Sequence, residues 1–393
     1  MKRLIFFSLA VLLMTGCKQQ DDESMFPDRP DVREYVVSTD EAENAAFYFL
    51  YMTDNQVQTR NAVRDVKDAP VIKKKFTIEG YNGKPAMHVI NYEKGGFTVI
   101  SGDKRLFPII AFSDDGYWDN NLDNYPDGLA YWIDCMKNEI IAMDEQGIEQ
   151  DKELKNLWET FVPSVTTRII TPPSHPCEDP ESYEKYIAPL IYTNWHQESP
   201  YNDSIPEILC DGITKKPLAG CVPIAVAQIA RYHQYPTNYQ WTSMTNGAIV
   251  ASLIKDIHDY YNSISAIIYY CDNSTGVLTD QRSRVFTQHW GYSSCVSTTL
   301  RDNFDSTNPG NVVVPLLLTG MDSVSGRHSW ICDGFMENIY CYNNDGIWQW
   351  YTQAWFHMNW GWGGNDNCWC IENTTYSGGT HSFSNIGCLK PIP

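Results

Sequence analysis

The stretch AGCVPIAVAQIARYHQYP, residues 219–236, sets a cysteine directly after a glycine and then runs on with helical character. With Gly220 before it and Pro223 two residues after, the helix should begin at or near Cys221, because proline fits a first turn and not a helix interior. Unpaired N–H groups and the positive end of the helix dipole favour a thiolate at that position. The helix is mostly apolar (Val222, Ile224, Ala225, Val226, Ile229, Ala230), so it should be buried between layers with Cys221 at the edge of a cleft. A disulfide or an inert core thiol fits this stretch equally well.

A thiolate nucleophile needs a base, almost always histidine. His233 is twelve residues further along the same helix, about 18 Å away at 1.5 Å per residue, and cannot reach. His328 is the better candidate, because GRHSWICDGF (326–335) places it at the start of a strand directly after a glycine- and serine-containing loop. His357, in WFHMNWGWGG (355–364), reads as a strand histidine packed among aromatics. The following NWGWGG (359–364) offers Asn359 to accept from an imidazole N–H and Trp360 or Trp362 to cover that bond. Its interleaved glycines suggest a tight turn. Acyl transfer also needs donors for an oxyanion. The Cys221 amide at the helix start is one, and the side-chain amide of Gln197, in NWHQESPYN (194–202), is a second.

The rest of the 393-residue chain frames these motifs. Hydrophobic residues make up 43%, enough for a sizeable core, and 13 Trp and 24 Tyr favour sheet-rich packing. The net charge of −19, with no basic stripe, argues against nucleic acid as a partner. Residues 1–17 read as a signal: Lys2 and Arg3, an apolar run from Leu4 to Met14, then Thr15-Gly16-Cys17. That run is too short to span a bilayer permanently. The pattern resembles a bacterial lipoprotein signal with Cys17 as the lipidated residue, and an ordinary cleaved secretory peptide is the alternative. The expected location is therefore outside the cytoplasm, at the outer membrane or cell surface, or secreted after maturation.

A first folded unit is expected over residues 18–162. Ser38 and Glu41 make a capping box for a helix over 38–51, residues 95–118 read as two strands joined at Gly102-Asp103, and Asp127 caps a helix over 128–145. Residues 163–188, proline-rich and aperiodic, read as an exposed linker. A second unit over 189–393 begins with helices, among them one near 247–262 and a shorter one near 279–290, and ends in strands over 311–320, 328–335, 338–344, 355–361 and 368–373. Helices first and sheet second imply an α+β domain. Cys368 and Cys370, two apart on a strand, should face the same side without pairing.

Four ordered motifs, WHQESPYN, AGCVPIAVAQIARYHQYP, GRHSWICDGF and FHMNWGWGG, resemble the streptopain family of papain-like bacterial cysteine peptidases, and VISGDKRLFPIIAFSDDGYW (99–118) resembles that family's propeptide. The likeness implies a zymogen. A small α+β prodomain would block the cleft of a papain-like catalytic domain, in which a helical part packs on an antiparallel β part. It makes Cys221 the nucleophile, His328 the general base and Gln197 the oxyanion donor. It gives the orienting and shielding of His328 to Trp360 rather than Asn359. It implies protein or peptide substrates with a bulky apolar residue next to the scissile one, the prodomain as inhibitor, and no cofactor or metal. Activation is expected within 163–188, with Arg168 and Lys185 as candidate sites. Pro223, Ile224 and Arg327 depart from the family pattern, Arg327 by placing a cation beside the base. A rival reading is a catalytically inactive binding or protease-inhibitor lipoprotein on the same fold. Transfer of the acyl group to an amine would use the same residues.

Overall fold

The computed structural model describes residues 32–58, 70–162, 185–305, 307–321, 327–376, 379–382 and 387–393. The signal with Cys17, the linker residues 163–184 with Arg168, and the loop 322–326 before His328 lie outside them.

The first unit opens with helix α1 (Thr39–Gln58), whose capping box is made: the Ser38 amide donates to the Glu41 carboxylate at 2.8 Å and the Glu41 amide to the Ser38 hydroxyl at 3.3 Å. Four antiparallel strands follow, β1 (Ile72–Glu79), β2 (Pro85–Tyr92), β3 (Phe97–Ser101) and β4 (Ile109–Ser113). β3 and β4 are the pair read over 95–118. β1 carries the run Lys73-Lys74-Lys75 on an outer edge, where charge opposes pairing with another sheet. Helices α2 (Asp127–Glu145) and α3 (Lys152–Phe161) complete the unit. Asp127 is not the cap of α2. Pro126 holds that position without a side-chain bond, and the Asp127 carboxylate faces elsewhere.

Lys185–Ile187, at the end of the expected linker, form strand β5, paired with Glu337, Met336 and Phe335. Two short hairpins flank the helices: β6 (Ile208–Cys210) with β7 (Ile213–Lys215), and β8 (Ile267–Tyr269) with β9 (Thr275–Val277). A Cys210–Cys271 disulfide joins them. Between them run α4 (Cys221–His233) and α5 (Gly247–Ser263). The expected helix near 279–290 is instead a 3-10 turn (Thr279–Gln281) followed by a π-helical turn (Val285–His289). Then come β10 (Ser294–Thr298), the short α6 (Leu300–Phe304), β11 (Leu316–Met321), β12 (Arg327–Asn344), β13 (Ile347–Asn359), β14 (Cys368–Ile371), a separate pair β15 (Asn373–Tyr376) and β16 (Gly379–Ser382), and β17 (Gly387–Ile392).

One sheet runs through both units in the order β1-β2-β3-β4-β14-β13-β12-β11-β17-β10, with β5 alongside β12. The join is β4 against β14, Phe112 opposite Trp369 and Ala111 opposite Cys370. Side chains close over it. The Phe112 and Trp355 rings lie 5.8 Å apart, Phe107 packs on Tyr340 at 5.2 Å, and the Trp132 indole N–H donates to the Ile371 carbonyl at 3.4 Å. This seam is built like a domain core, so its apolar burial holds the first unit on the second. On the other side α4 is buried against α5 and the sheet, with Ile224, Val226 and Ile229 fully enclosed. Cys221, Cys368 and Cys370 are free thiols, the last two sharing one face with sulfurs 3.2 Å apart. Cys341 is disulfide-bonded. No described helix is long and apolar enough to cross a membrane.

Candidate active site

Gly220 lies at the N-cap of α4 with φ 88°, a conformation that favours glycine, and a Cβ there would come within 2.9 Å of the Thr275 carbonyl oxygen. The helix therefore starts at Cys221, and the backbone N–H groups of Ser329, Val222 and Cys221 itself favour the thiolate form of its side chain. Ser329 follows His328 at the start of β12, so the Cys221 thiol lies close to the beginning of that strand. Burial pushes the Cys221 thiol up to about 11, and the Asp127 charge adds to the rise against the three N–H donors.

His328 is buried and turned toward the first unit, with Nδ1 3.1 Å from the Asp127 carboxylate. Tight packing puts Asp127 there. A Cβ on its neighbour Gly128 would sit 2.9 Å from the Trp360 ring and 3.0 Å from Trp330, so only glycine lets α2 start this close to the sheet. The Arg327 guanidinium hydrogen-bonds the Thr279 hydroxyl.

Gln197 is buried, its Nε2 has no hydrogen-bond partner among the described residues, and its main-chain carbonyl accepts from Ala219 N–H at 2.8 Å. A buried amide donor left unpaired costs roughly 1–3 kcal/mol, which a group binding there would recover. Trp360 is buried, donates from its indole to the Asp366 carbonyl at 2.9 Å and packs on Trp330 at 5.7 Å. The Asn359 amide is spent elsewhere. Its oxygen accepts from Gln228 and from Gly361 N–H at 3.2 and 3.1 Å, and its nitrogen donates to the Thr193 carbonyl at 3.0 Å.

His357 is held apart from this group. Its Nδ1 lies 2.6 Å from the buried Asp333 carboxylate, whose other oxygen accepts from Ile191 N–H at 2.8 Å. That pair pins the chain entering the second unit. His233 lies at the far end of α4, against Tyr292, where burial lowers its pKa to about 4. Among the described residues no group of three or more His, Cys, Asp or Glu is placed to hold a metal ion.

Sequence reasoning missed Asp127 as a partner of His328. An aspartate ahead of an amphipathic helix carries the ordinary signal of a cap, and nothing local reports a contact with a distant strand. It also missed His258 of α5, whose Nε2 lies 2.7 Å from the Ala219 carbonyl.

Comparison with known proteins adds to this geometry. The family model for the Spi protease inhibitor matches residues 34–140, and that for the peptidase C10 family matches residues 195–249 and 238–370. The chain is 23% identical to streptopain of Streptococcus pyogenes over 372 residues, covering 82% of each chain. It is 22% identical to the thiol protease/hemagglutinin PrtT of Porphyromonas gingivalis over 313 residues, covering 70% of this chain and 32% of that one. In fold it is similar to a fragment of prointerpain A from Prevotella intermedia, with a TM-score of 0.51 at 17% identity, covering 81% of this chain and 98% of that one.

Proposed function

Given that this chain belongs to the peptidase C10 family of streptopain-like cysteine peptidases, with an inhibitor-type domain ahead of the peptidase domain, we propose that it is an exported cysteine endopeptidase held latent by residues 18–162. One observation carries this reading. A free thiol heads α4, the chain just before it is hydrogen-bonded to the main chain of Gln197, whose buried side-chain amide has no partner among the described residues, and a carboxylate of the first unit lies 3.1 Å from His328.

In the zymogen His328 Nδ1 is engaged by Asp127 and the Cys221 thiol is protonated at neutral pH. Cleavage within 163–188 lets the first unit leave and takes Asp127 with it. Lys185 is the poorer cutting site, because it lies in register opposite Glu337 on β5 and proteases need a chain they can extend. Arg168 is the better candidate. The freed imidazole takes the Cys221 proton, and the thiolate attacks a peptide carbonyl. The oxyanion rests on the Cys221 amide and Gln197 Nε2. The imidazolium protonates the leaving amine, and water, activated by His328, hydrolyses the thioester. Trp360 covers His328 from solvent. Asn359 anchors the turn that carries Trp360 through its bonds to Gln228 and Thr193. Substrates are proteins or peptides with a bulky apolar residue next to the scissile one. No cofactor takes part.

The test is an epoxysuccinyl thiol probe on protein before and after maturation. One equivalent on Cys221 of the mature form, and little on the proprotein, is the expected result. A mature form that takes up none would leave the binding or inhibitor reading in its place. The same reading makes Cys17 a lipid anchor. Cells fed an alkyne-tagged fatty acid should label the wild-type protein and not Cys17→Ser, and equal labelling would remove the anchor.

A further inference from the structure

One of the two proposed oxyanion donors, the Cys221 amide, depends on the direction of a single backbone N–H bond, and the residue before it is a glycine. Ile224 N–H donates to the Gly220 carbonyl at 3.2 Å and so holds the plane of the Cys221 amide from the helix side, but the soft glycine backbone leaves the approach from Ala219 to be fixed separately. Something must fix the peptide plane ahead of it. The structure supplies a clamp on each neighbouring group. Leu218 N–H donates to the Asn273 carbonyl at 2.8 Å, and the Thr275 hydroxyl donates to the Leu218 carbonyl at 2.7 Å. Ala219 N–H donates to the carbonyl of Gln197, the other oxyanion donor.

The last group is the Ala219 carbonyl, whose peptide plane leads directly into Gly220. It lies 2.7 Å from Nε2 of His258, a side chain on α5 that is 1% exposed. A carbonyl only accepts, so that nitrogen carries the proton. Nδ1 then accepts from the Tyr269 hydroxyl on β8 at 2.9 Å. Burial lowers the pKa of His258 to about 4, so the ring is neutral and its tautomer is set by these two bonds. Both ring nitrogens are used, one by Ala219 and one by Tyr269.

We propose that His258, braced by Tyr269, is the positioning residue of the oxyanion site: by gripping the Ala219 carbonyl it fixes the plane from which Gly220 aims the Cys221 amide. This rests on the peptidase reading. It assigns a role in that reaction to a histidine that sequence analysis passed over. The Cys210–Cys271 bridge contributes at one remove, since it ties the hairpin carrying Tyr269, Asn273 and Thr275 to β6–β7.

Two reactions of the same thiol separate positioning from general damage. Peptide hydrolysis passes through an oxyanion, whereas alkylation by iodoacetamide is a displacement at carbon that forms none. His258→Leu keeps an apolar side chain at the site and removes the donor. In the matured enzyme it is expected to lower kcat/KM on a peptide substrate by about 100-fold, the scale of a displacement near 1 Å at a reacting group. The rate of Cys221 alkylation should stay within about threefold. His258→Gln, which restores an N–H donor, should recover most of the lost hydrolysis. Unchanged hydrolysis in His258→Leu would overturn the inference, as would hydrolysis and alkylation falling together or no recovery in His258→Gln. Wild-type protein that alkylates at Cys221 yet hydrolyses nothing would instead sink the peptidase reading itself.

Discussion

Proprotein carrying Cys221→Ala is expected to keep its first unit indefinitely and to leave casein uncut, a loss of at least about 10⁵-fold against wild type. The size follows from the chemistry: without the sulfur there is no thioester, and what remains is binding plus an oxyanion site acting on water. The change is small sterically. Cys221 heads α4 rather than filling its core, and it is only partly enclosed. Removing its sulfur therefore spares the packing of Ile224, Val226 and Ile229. The melting temperature should stay within a few degrees of wild type, which separates lost chemistry from lost fold. His328→Ala should fall nearly as far, and the double variant little further, because nucleophile and base act as one unit. Gln197→Leu should cost less, about 10²–10³-fold, the range for one oxyanion donor. The decisive readout is casein hydrolysis by Cys221→Ala protein matured with a separate protease. Activity near the wild-type level there would end the cysteine-peptidase mechanism.

What could be read in advance divides along the reach of sequence signals. The start of α4 was legible because Gly220, Cys221 and Pro223 each constrain the backbone within a turn of one another. The capping box at Ser38 and the β3–β4 hairpin were legible for the same reason, each being written in adjacent residues. Asp127 was not legible. Its local setting is that of a helix cap, and its contact with His328 arises only because Gly128 lets α2 settle against Trp330 and Trp360. The continuous sheet was equally hidden. Strand edges join through main-chain groups that every residue carries, so β4 and β14 bear no mark that they belong together. His258 was lost in an amphipathic helix, where a buried histidine looks like any other partly apolar core residue. The motifs thus carried the candidate reacting groups, while the groups proposed to restrain or aim them had to be seen in three dimensions.

The restraint makes the second large prediction, a displacement of the pH at which Cys221 becomes reactive. In the proprotein burial, reinforced by Asp127, holds the thiol at about 11. A thiol with a raised pKa gains its thiolate only as pH climbs through that raised value, so alkylation by iodoacetamide should still be accelerating at pH 9.5. Departure of the first unit removes the Asp127 charge, readmits solvent and frees His328 Nδ1 to pair with the thiolate. All three favour the thiolate, and His-paired thiols fall to about 3–4. The mature enzyme should therefore reach its alkylation plateau below pH 7, a shift of at least about four units. Rates are to be read by mass on the Cys221 peptide, since other free thiols are present. Asp127→Asn proprotein should move in the same direction by only part of this span, because burial is the larger cause of the rise and stays in place. It should also mature faster, since an amide holds His328 less firmly than a carboxylate does. Proprotein and mature enzyme sharing one alkylation profile would mean that the first unit does not silence the thiol by raising its pKa, and latency would then rest on blocked access alone.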